Sequence, residues 1–397
     1  MPLALFALTV AAYAIGTTEF VIVGLLPTVA TDLAITLPLA GLIVSVYALG
    51  VTFGAPVLTA LTGRLGRKPL LLCLMALFVA GNALAALAPG YGVLLAGRVL
   101  SAFAHGVFFS VGATIAADLV SPDRRASAIA MMFMGLTVAI VTGVPLGTVI
   151  GQSFGWRATF WAVAGLGLVA FAAIAVLLPS NLRREKPAGL VEQVRVLGSG
   201  RLIIVFAMTA LGYGGTFVTF TFLSPLLQEV TGLSAGTVSL VLVLYGAAIA
   251  LGNIVGGKVA DRDPVKALVV LFALQAAVLV LFTFTAPAPA FALVTLAALG
   301  FLSFANVPGL QLYVVDMARR HRPAGVDVAS ALNIAAFNLG IAAGAWIGGL
   351  VVASPLGLGA TPAVGAVLVA AALGLTLLSG ALDRRERARP GAACQPA

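Results

Sequence analysis

Apolar residues run along this chain in twelve long stretches, separated by short polar breaks. The stretches lie near 3–26, 39–61, 69–88, 91–117, 127–150, 157–179, 201–226, 237–259, 265–285, 289–314, 327–352 and 361–382. A helix needs about 20 apolar residues to cross the hydrocarbon core of a bilayer. Lipid cannot hydrogen-bond an open sheet edge, so runs of this length predict spanning helices. The pattern therefore predicts an all-α membrane protein with twelve transmembrane helices and the lipid bilayer as its solvent.

The basic residues orient that pattern. They group as Arg64/Arg67/Lys68, Arg124/Arg125, Arg183 to Arg201, Lys258/Arg262/Lys266, Arg319/Arg320/Arg322 and Arg384 to Arg389, leaving only Arg98 and Arg157 elsewhere. Every second break is basic and those between are almost bare, which is the positive-inside signature. The expectation is a multi-pass protein of the cell (cytoplasmic) membrane with both termini on the cytoplasmic side. Met1-Pro2-Leu3 enters the first span without a positive leader, which argues against a cleaved signal peptide.

Composition changes the picture only by exclusion. The chain is 61% hydrophobic and 9% charged, against roughly 25% charged in a soluble domain. A water-facing surface cannot be built from it. The net charge of +9 would suit a nucleic acid, but the charges sit at helix ends. There, anionic lipid attracts each by about 1 kcal/mol, so no nucleic-acid partner is expected. Cys73 lies within a span and Cys394 in the tail, which argues against a disulfide between them. With two such cysteines and two histidines, His105 and His321, no metal centre or cofactor is expected.

The chain repeats itself at about half its length. Pro27 matches Pro225, Tyr47 matches Tyr245, Gly54 matches Gly252, Arg64 matches Arg262 and Asp118 matches Asp316, each 198 residues apart. Gly143, Gly147 and Gly151 match Gly340, Gly344 and Gly348 at 197. An even number of spans per half makes the repeats parallel in topology, with a path between them. The expected plan is two pseudo-symmetric six-helix bundles at 1–180 and 201–382. A cytoplasmic linker at 181–200 and a tail at 383–397 complete it.

Two segments carry a resemblance. Gly16-Thr17-Thr18-Glu19-Phe20 leading to Leu26-Pro27, and Gly143-Val144-Pro145-Leu146-Gly147 running into Gly155-Trp156-Arg157, resemble the major facilitator superfamily. Within it they are similar to the twelve-span drug:proton antiporters, near the sugar-efflux and chloramphenicol-exporter branch. The resemblance covers essentially the whole chain. It implies export of a small-molecule substrate driven by proton uptake, by a monomer.

Three residues within spans could carry the coupling. Glu19 is flanked by apolar residues on both sides, and a charge at the bilayer centre costs on the order of 3 kcal/mol unless it faces a polar interior. It reads as a proton-binding carboxylate or a counter-charge for a cationic substrate, against a permanent polar tie between helices. Arg98 shares a helix face with Ser101 and His105. Its segment, Arg98-Val99-Leu100-Ser101-Ala102, resembles the superfamily's fourth-helix motif, whose arginine is implied to couple protonation to movement. Ser101 and Ala102 stand where Gln and Gly are usual, so only the arginine carries over. The alternative is an arginine that satisfies carbonyls. His105 is a proton relay near neutral pH or a hydrogen-bonded packing residue.

Mechanical roles follow from small residues and charge clusters. Gly143, Gly147 and Gly151 recur every four residues and let helices approach closely, with Pro145 placing a kink. They predict a dry seam, or generic small-residue packing. Arg64, Gly66, Arg67 and Lys68 resemble the superfamily's cytoplasmic gating motif, although Gly63 stands where Asp is usual. Asp261 and Arg262 keep the acidic and basic pair in the second copy. Such a cluster can latch the two halves, with Asp118 and Asp316 as partners; the alternative is topology alone.

A substrate path would be lined by polar residues within spans. Thr209, Tyr213 and Thr216 fall on one face of the seventh, and Tyr47, Tyr245, Asn253, Asn306, Asn333 and Asn338 lie in others. As a set they suit a neutral or weakly polar solute, unless each merely ties helices. Gly252 to Lys258 fits a phosphate-binding loop until Val259 replaces the needed Ser or Thr. No ATP site or ATPase subunit is therefore expected, and no nucleophile–base pair points to an enzyme. An importer or uniporter of the same fold, or a non-transporting sensor, remains the alternative function.

Overall fold

The structure is a computed structural model that describes residues 3–62, 65–121, 125–180 and 190–387. Among the described residues it contains twelve helices long and apolar enough to span a membrane. In the first half they are α1 (Leu3–Asp32), α2 (Leu37–Thr62), α3 (Arg67–Ala86), α4 (Tyr91–Asp118), α5 and α6 (Trp156–Leu177). The α5 span joins Arg125–Val138 to Val144–Phe154 through a π-helical turn, Ala139–Gly143. In the second half, α7 runs from Gly200–Phe220 through Leu223–Pro225 into a π turn, Leu226–Val230. Then follow α8 (Ala235–Ala260), α9 (Pro264–Thr285), α10 (Pro289–Ala305 with Val307–His321), α11 (Val326–Ala353) and α12 (Thr361–Arg387). A short helix, Leu190–Leu197, lies in the polar joint and touches α7 and α11.

The irregular turns follow from proline chemistry. Pro145 has no N–H and its ring crowds the carbonyl four residues back. The helix widens just before it, with Val144 donating to Ala139, five residues back. Ahead of Pro225 the α7 helix is broken at Thr221–Phe222. Pro308 stands at the start of the second part of α10, just after the break at Asn306. Pro27, the repeat mate of Pro225, behaves differently, since α1 passes through it without interruption. A tight turn joins α5 to α6 at Gly155, whose φ of 84° favours glycine.

Helix pairing obeys the repeat. α1 packs on α5 and α6, as α7 packs on α11 and α12; α3 meets α4 and α6, as α9 meets α10 and α12; α2 meets α4, as α8 meets α10. Across the halves, α2 packs on α11 and α8 packs on α5, which are the same pair under the repeat. Among the described residues, four hydrogen bonds join the halves. Ser45 donates to the Ala342 carbonyl at 2.9 Å and Thr52 to the Ala335 carbonyl at 3.4 Å. Gln152 donates to the Ala235 carbonyl at 3.2 Å and accepts from Ser239 at 2.9 Å. All four lie in mid-span or at the end of the bundle away from Arg67, Arg201 and Lys266, hereafter the basic end.

The glycine seams lie within halves rather than between them. A Cβ at Gly143, Gly147 or Gly151 would run into Thr17, Val21 or Leu25 of α1. One at Gly340, Gly344 or Gly348 would run into Ala210, Gly214 or Val218 of α7. The two rows therefore hold equivalent helix pairs at the closest approach that backbone allows.

Candidate functional site

α1 is buried on nearly every face, from Ala4 to Ala30, because its own half and α7 enclose it. Glu19 sits near its middle, 8% exposed. Arg98 of α4, 1% exposed, reaches across to α1. Its guanidinium donates to the Thr18 carbonyl at 2.6 Å, to the Thr18 hydroxyl at 3.2 Å and to the Glu19 carbonyl at 3.5 Å. The guanidinium also lies over the Tyr47 ring, 4.0 Å from its centroid, a favourable cation–π placement. Thr18 in turn donates to Asn82 of α3 at 2.6 Å. Arg98 is thus pinned to the α1 backbone next to Glu19, without a direct ion pair to its carboxyl among the described residues.

His105 stands about two α4 turns further along. Its Nδ1 is 3.9 Å from the Glu19 Oε2 and 3.1 Å from the Tyr47 hydroxyl. Glu19, Arg98 and His105, expected to carry the coupling, and Tyr47, expected to line the cavity, form one cluster from α1, α2 and α4. The expected companions of Arg98, Ser101 and His105, are both buried with it. Ser101 is spent on the Gly97 carbonyl at 2.8 Å, where α3 and α4 approach through Gly81 and Gly97.

Beside this cluster the halves meet through aromatic rings. Phe20, the neighbour of Glu19, lies 6.2 Å from Phe217, 6.4 Å from Phe220 and 6.3 Å from Phe304. Tyr213 contacts Phe304 at 5.3 Å and Phe337 at 4.9 Å, and Phe220 stacks on Tyr245 at 5.4 Å. These phenylalanines were absent from the sequence-predicted cavity. An apolar ring inside an apolar span leaves no periodic signal; only the step from Glu19 to Phe20 hints at one.

The predicted polar lining divides in two. Thr216 and Asn306 are tied through Gln275, which donates to Thr216 at 2.7 Å and accepts from Asn306 at 3.0 Å. Asn333 accepts from Thr209 at 2.7 Å and donates to Gln311 at 2.9 Å. Those side chains hold helices together, and sequence reading had passed over Gln275 and Gln311. Among the described residues, Asn306 Oδ1 and Asn338 Oδ1 are buried without a hydrogen-bond partner. A buried acceptor left unpaired costs about 1–3 kcal/mol, so both are ready acceptors for a donor group on a ligand.

The basic-end cluster is placed differently from a latch between halves. Arg67 pairs with Asp118 at 2.6 Å and Lys68 donates to the Leu178 carbonyl at 2.6 Å, both within the first half. Gly66 precedes α3 as its cap, and Arg64 lies outside the described residues. Asp316 pairs with Arg319 at 3.7 Å, and neither Asp261 nor Arg262 forms an ion pair among the described residues. A second cluster, which the sequence reading missed, joins Arg201 to Asp383 and to Glu386, with Tyr313 donating to Asp383 at 3.1 Å. At the opposite end, Asp32 accepts from Trp156 at 2.9 Å and from Arg157 at 2.5 Å, pinning α1 to α6.

Comparison with known proteins bears on what such a cluster serves. The sequence profile of the Major Facilitator Superfamily matches residues 8–326 and 205–395. The chain belongs to this superfamily. Among its relatives, the uncharacterized MFS-type transporter YtbD of Bacillus subtilis is 58% identical over 351 residues, covering 88% of this chain and 89% of that protein. The inner membrane transport protein YdhP of Escherichia coli K12 is 38% identical, covering 88% and 89%. A chloramphenicol resistance protein of Streptomyces lividans is 36% identical, covering 89% and 94%. In fold, the chain matches a crystal structure of a bacterial homolog of the human lysosomal transporter Spinster, inward-facing and unoccupied. That match has a TM-score of 0.72 at 16% identity and covers 98% of each chain. As a superfamily member the chain is a multi-pass membrane transporter of the secondary kind, acting on small molecules, and not an enzyme.

Proposed function

We propose that this transporter exports a small organic solute across the cell membrane in exchange for protons, with both termini in the cytoplasm. The observation that carries this reading is the Glu19 carboxyl, buried in mid-span beside His105 and Arg98 where Phe20 meets the other half. A titratable group so placed normally belongs to an ion or proton path. Glu19 binds the proton, His105 relays it, and Arg98 transmits the change to the α1 backbone. The bundles at 1–180 and 201–382 rock about the midplane, with the glycine rows sealing α1 to α5 and α7 to α11. Proton entry supplies about 2.3 kcal/mol per charge at 100 mV, before any pH gradient.

Solute binds against Tyr213, Tyr245 and the phenylalanines, with Asn306 and Asn338 accepting hydrogen bonds. That lining suits a neutral or weakly polar solute of drug, sugar or nucleoside type. The name of the S. lividans relative favours the outward direction, as does the Gly143–Gly151 segment.

The test is solute flux in proteoliposomes under an imposed pH gradient. Wild type is expected to move solute against its gradient and to carry protons the opposite way, acidifying the compartment that the solute leaves. Glu19→Gln is expected to insert normally but to lose uphill transport. Uphill transport at the wild-type rate in that variant would remove Glu19 from the mechanism. Flux driven by ATP and unaffected by a protonophore would remove the proton.

A further inference from the structure

Away from the central cluster, a cleft of about 320 Å³ opens between the basic ends of α9 and α12. Its walls are Val265, Val269 and Val270 of α9 and Thr376 and Leu377 of α12. Val270 and Leu377 are each more than half exposed, so in a bilayer the cleft opens toward lipid tails. Gly380 forms the floor, and a side chain there would collide with Val265. The missing side chain lets Val265 pack closely against α12.

Two cations stand at its rim, Lys266 and Arg384. Asp263 caps α9, accepting from the Lys266 N–H at 3.1 Å, and its carboxylate meets Lys266 Nζ at 3.2 Å. A lysine ammonium has three donors, so two remain. The acidic groups near Arg384 are engaged elsewhere: Asp383 with Arg201, and Glu386 with Arg201 and His321. Arg384 pairs with no carboxylate among the described residues. An apolar slot at tail depth, capped by two cations at headgroup depth, matches one molecular shape.

We propose that this cleft binds an anionic phospholipid, one acyl chain lying along Gly380 and the phosphate held by Lys266 and Arg384. Basic pockets between helices on the cytoplasmic side are suited to acidic headgroups, with about 1 kcal/mol per Lys or Arg near the surface. The inference does not depend on proton coupling or on solute identity.

Native mass spectrometry of the full-length protein, released from nanodiscs of mixed phosphatidylglycerol and phosphatidylcholine, tests it. Wild type is expected to retain phosphatidylglycerol over phosphatidylcholine. Lys266→Ala with Arg384→Ala should reduce that retention on the order of tenfold while leaving phosphatidylcholine unchanged. Gly380→Leu displaces Val265 from the cleft wall and should reduce it several-fold with both cations intact. Arg385→Ala, one residue along, should change nothing. Equal retention in the double variant, an equal loss in Arg385→Ala, or displacement of the lipid by millimolar inorganic phosphate would overturn the site. Unchanged melting temperatures in detergent separate lost binding from lost fold.

Discussion

The two halves share a scaffold, yet among the described residues only the first places acidic, arginine and histidine side chains in mid-membrane. Tyr47 bonds His105 at 3.1 Å across 58 residues, and Tyr245 bonds Ser303 at 3.2 Å across the same 58. The repeat carries Tyr47 onto Tyr245 and His105 onto Ser303, so one inter-helix bond is built twice with different chemistry. Under the same register Arg98 falls on Leu296 and Glu19 on Phe217. Glu19, Arg98 and His105 each have a mate that carries no charge. The difference teaches that helix packing is what the repeat preserves. Charge, which costs on the order of 3 kcal/mol in a span, is kept where α1 offers carbonyls to receive it.

The strongest way to break this comparison is to move the charge. Leu296→Arg places a guanidinium in the second half, where Leu296 is buried in the apolar core. We expect a cost on the order of 3 kcal/mol, seen as failed insertion in a glycosylation-mapping assay. Wild-type insertion would mean that the second half also accommodates an arginine.

Glycine mates sharpen the comparison next. A Cβ at Gly252 would overlap the Phe301 carbonyl, whereas one at Gly54 meets the Phe103 ring. A ring can turn and a backbone carbonyl cannot. Gly252→Ala should therefore lose about 1–3 kcal/mol and Gly54→Ala clearly less, by unfolding in mixed micelles. Equal losses would show that the ring at Phe103 is as fixed as backbone.

His105→Ser makes the first half resemble the second. Stability should change by less than about 1 kcal/mol, as a serine can still bond Tyr47. Proton-coupled exchange should slow several-fold, measured with a pH-sensitive dye; an unchanged rate would leave His105 as packing alone. The smallest effect belongs to Tyr245→Phe, which removes only the Ser303 bond. About 0.6 kcal/mol is expected, with proton coupling retained and any change in transport confined to solute affinity. A larger stability loss would mean that the Tyr245 ring also shifts when its hydroxyl is removed.

Much of this molecule was legible before any coordinates. Twelve apolar runs dictate twelve helices because lipid leaves the backbone no other partner. The mates Tyr47/Tyr245 and Gly143/Gly340 announced the internal symmetry. Glu19 and Arg98 were conspicuous because a charge is rare and costly in hydrocarbon. Those signals are local, and a linear chain displays them.

What tertiary structure alone decided is which side chains meet. Arg98 grips the carbonyls of Thr18 and Glu19 rather than the Glu19 carboxylate. The Arg67 and Asp118 pair closes within one half, so the expected latch between halves is not formed by it. Thr216 and Asn333, expected to line a path, are consumed by Gln275, Gln311 and Thr209, while Asn306 and Asn338 keep a free oxygen. Phe20 and its ring partners emerged only when the two halves were brought together. The physical reason is that in a uniformly apolar span no periodicity marks the buried face. Hydrogen bonds and ring contacts between residues far apart in sequence are set by helix packing, which composition does not encode.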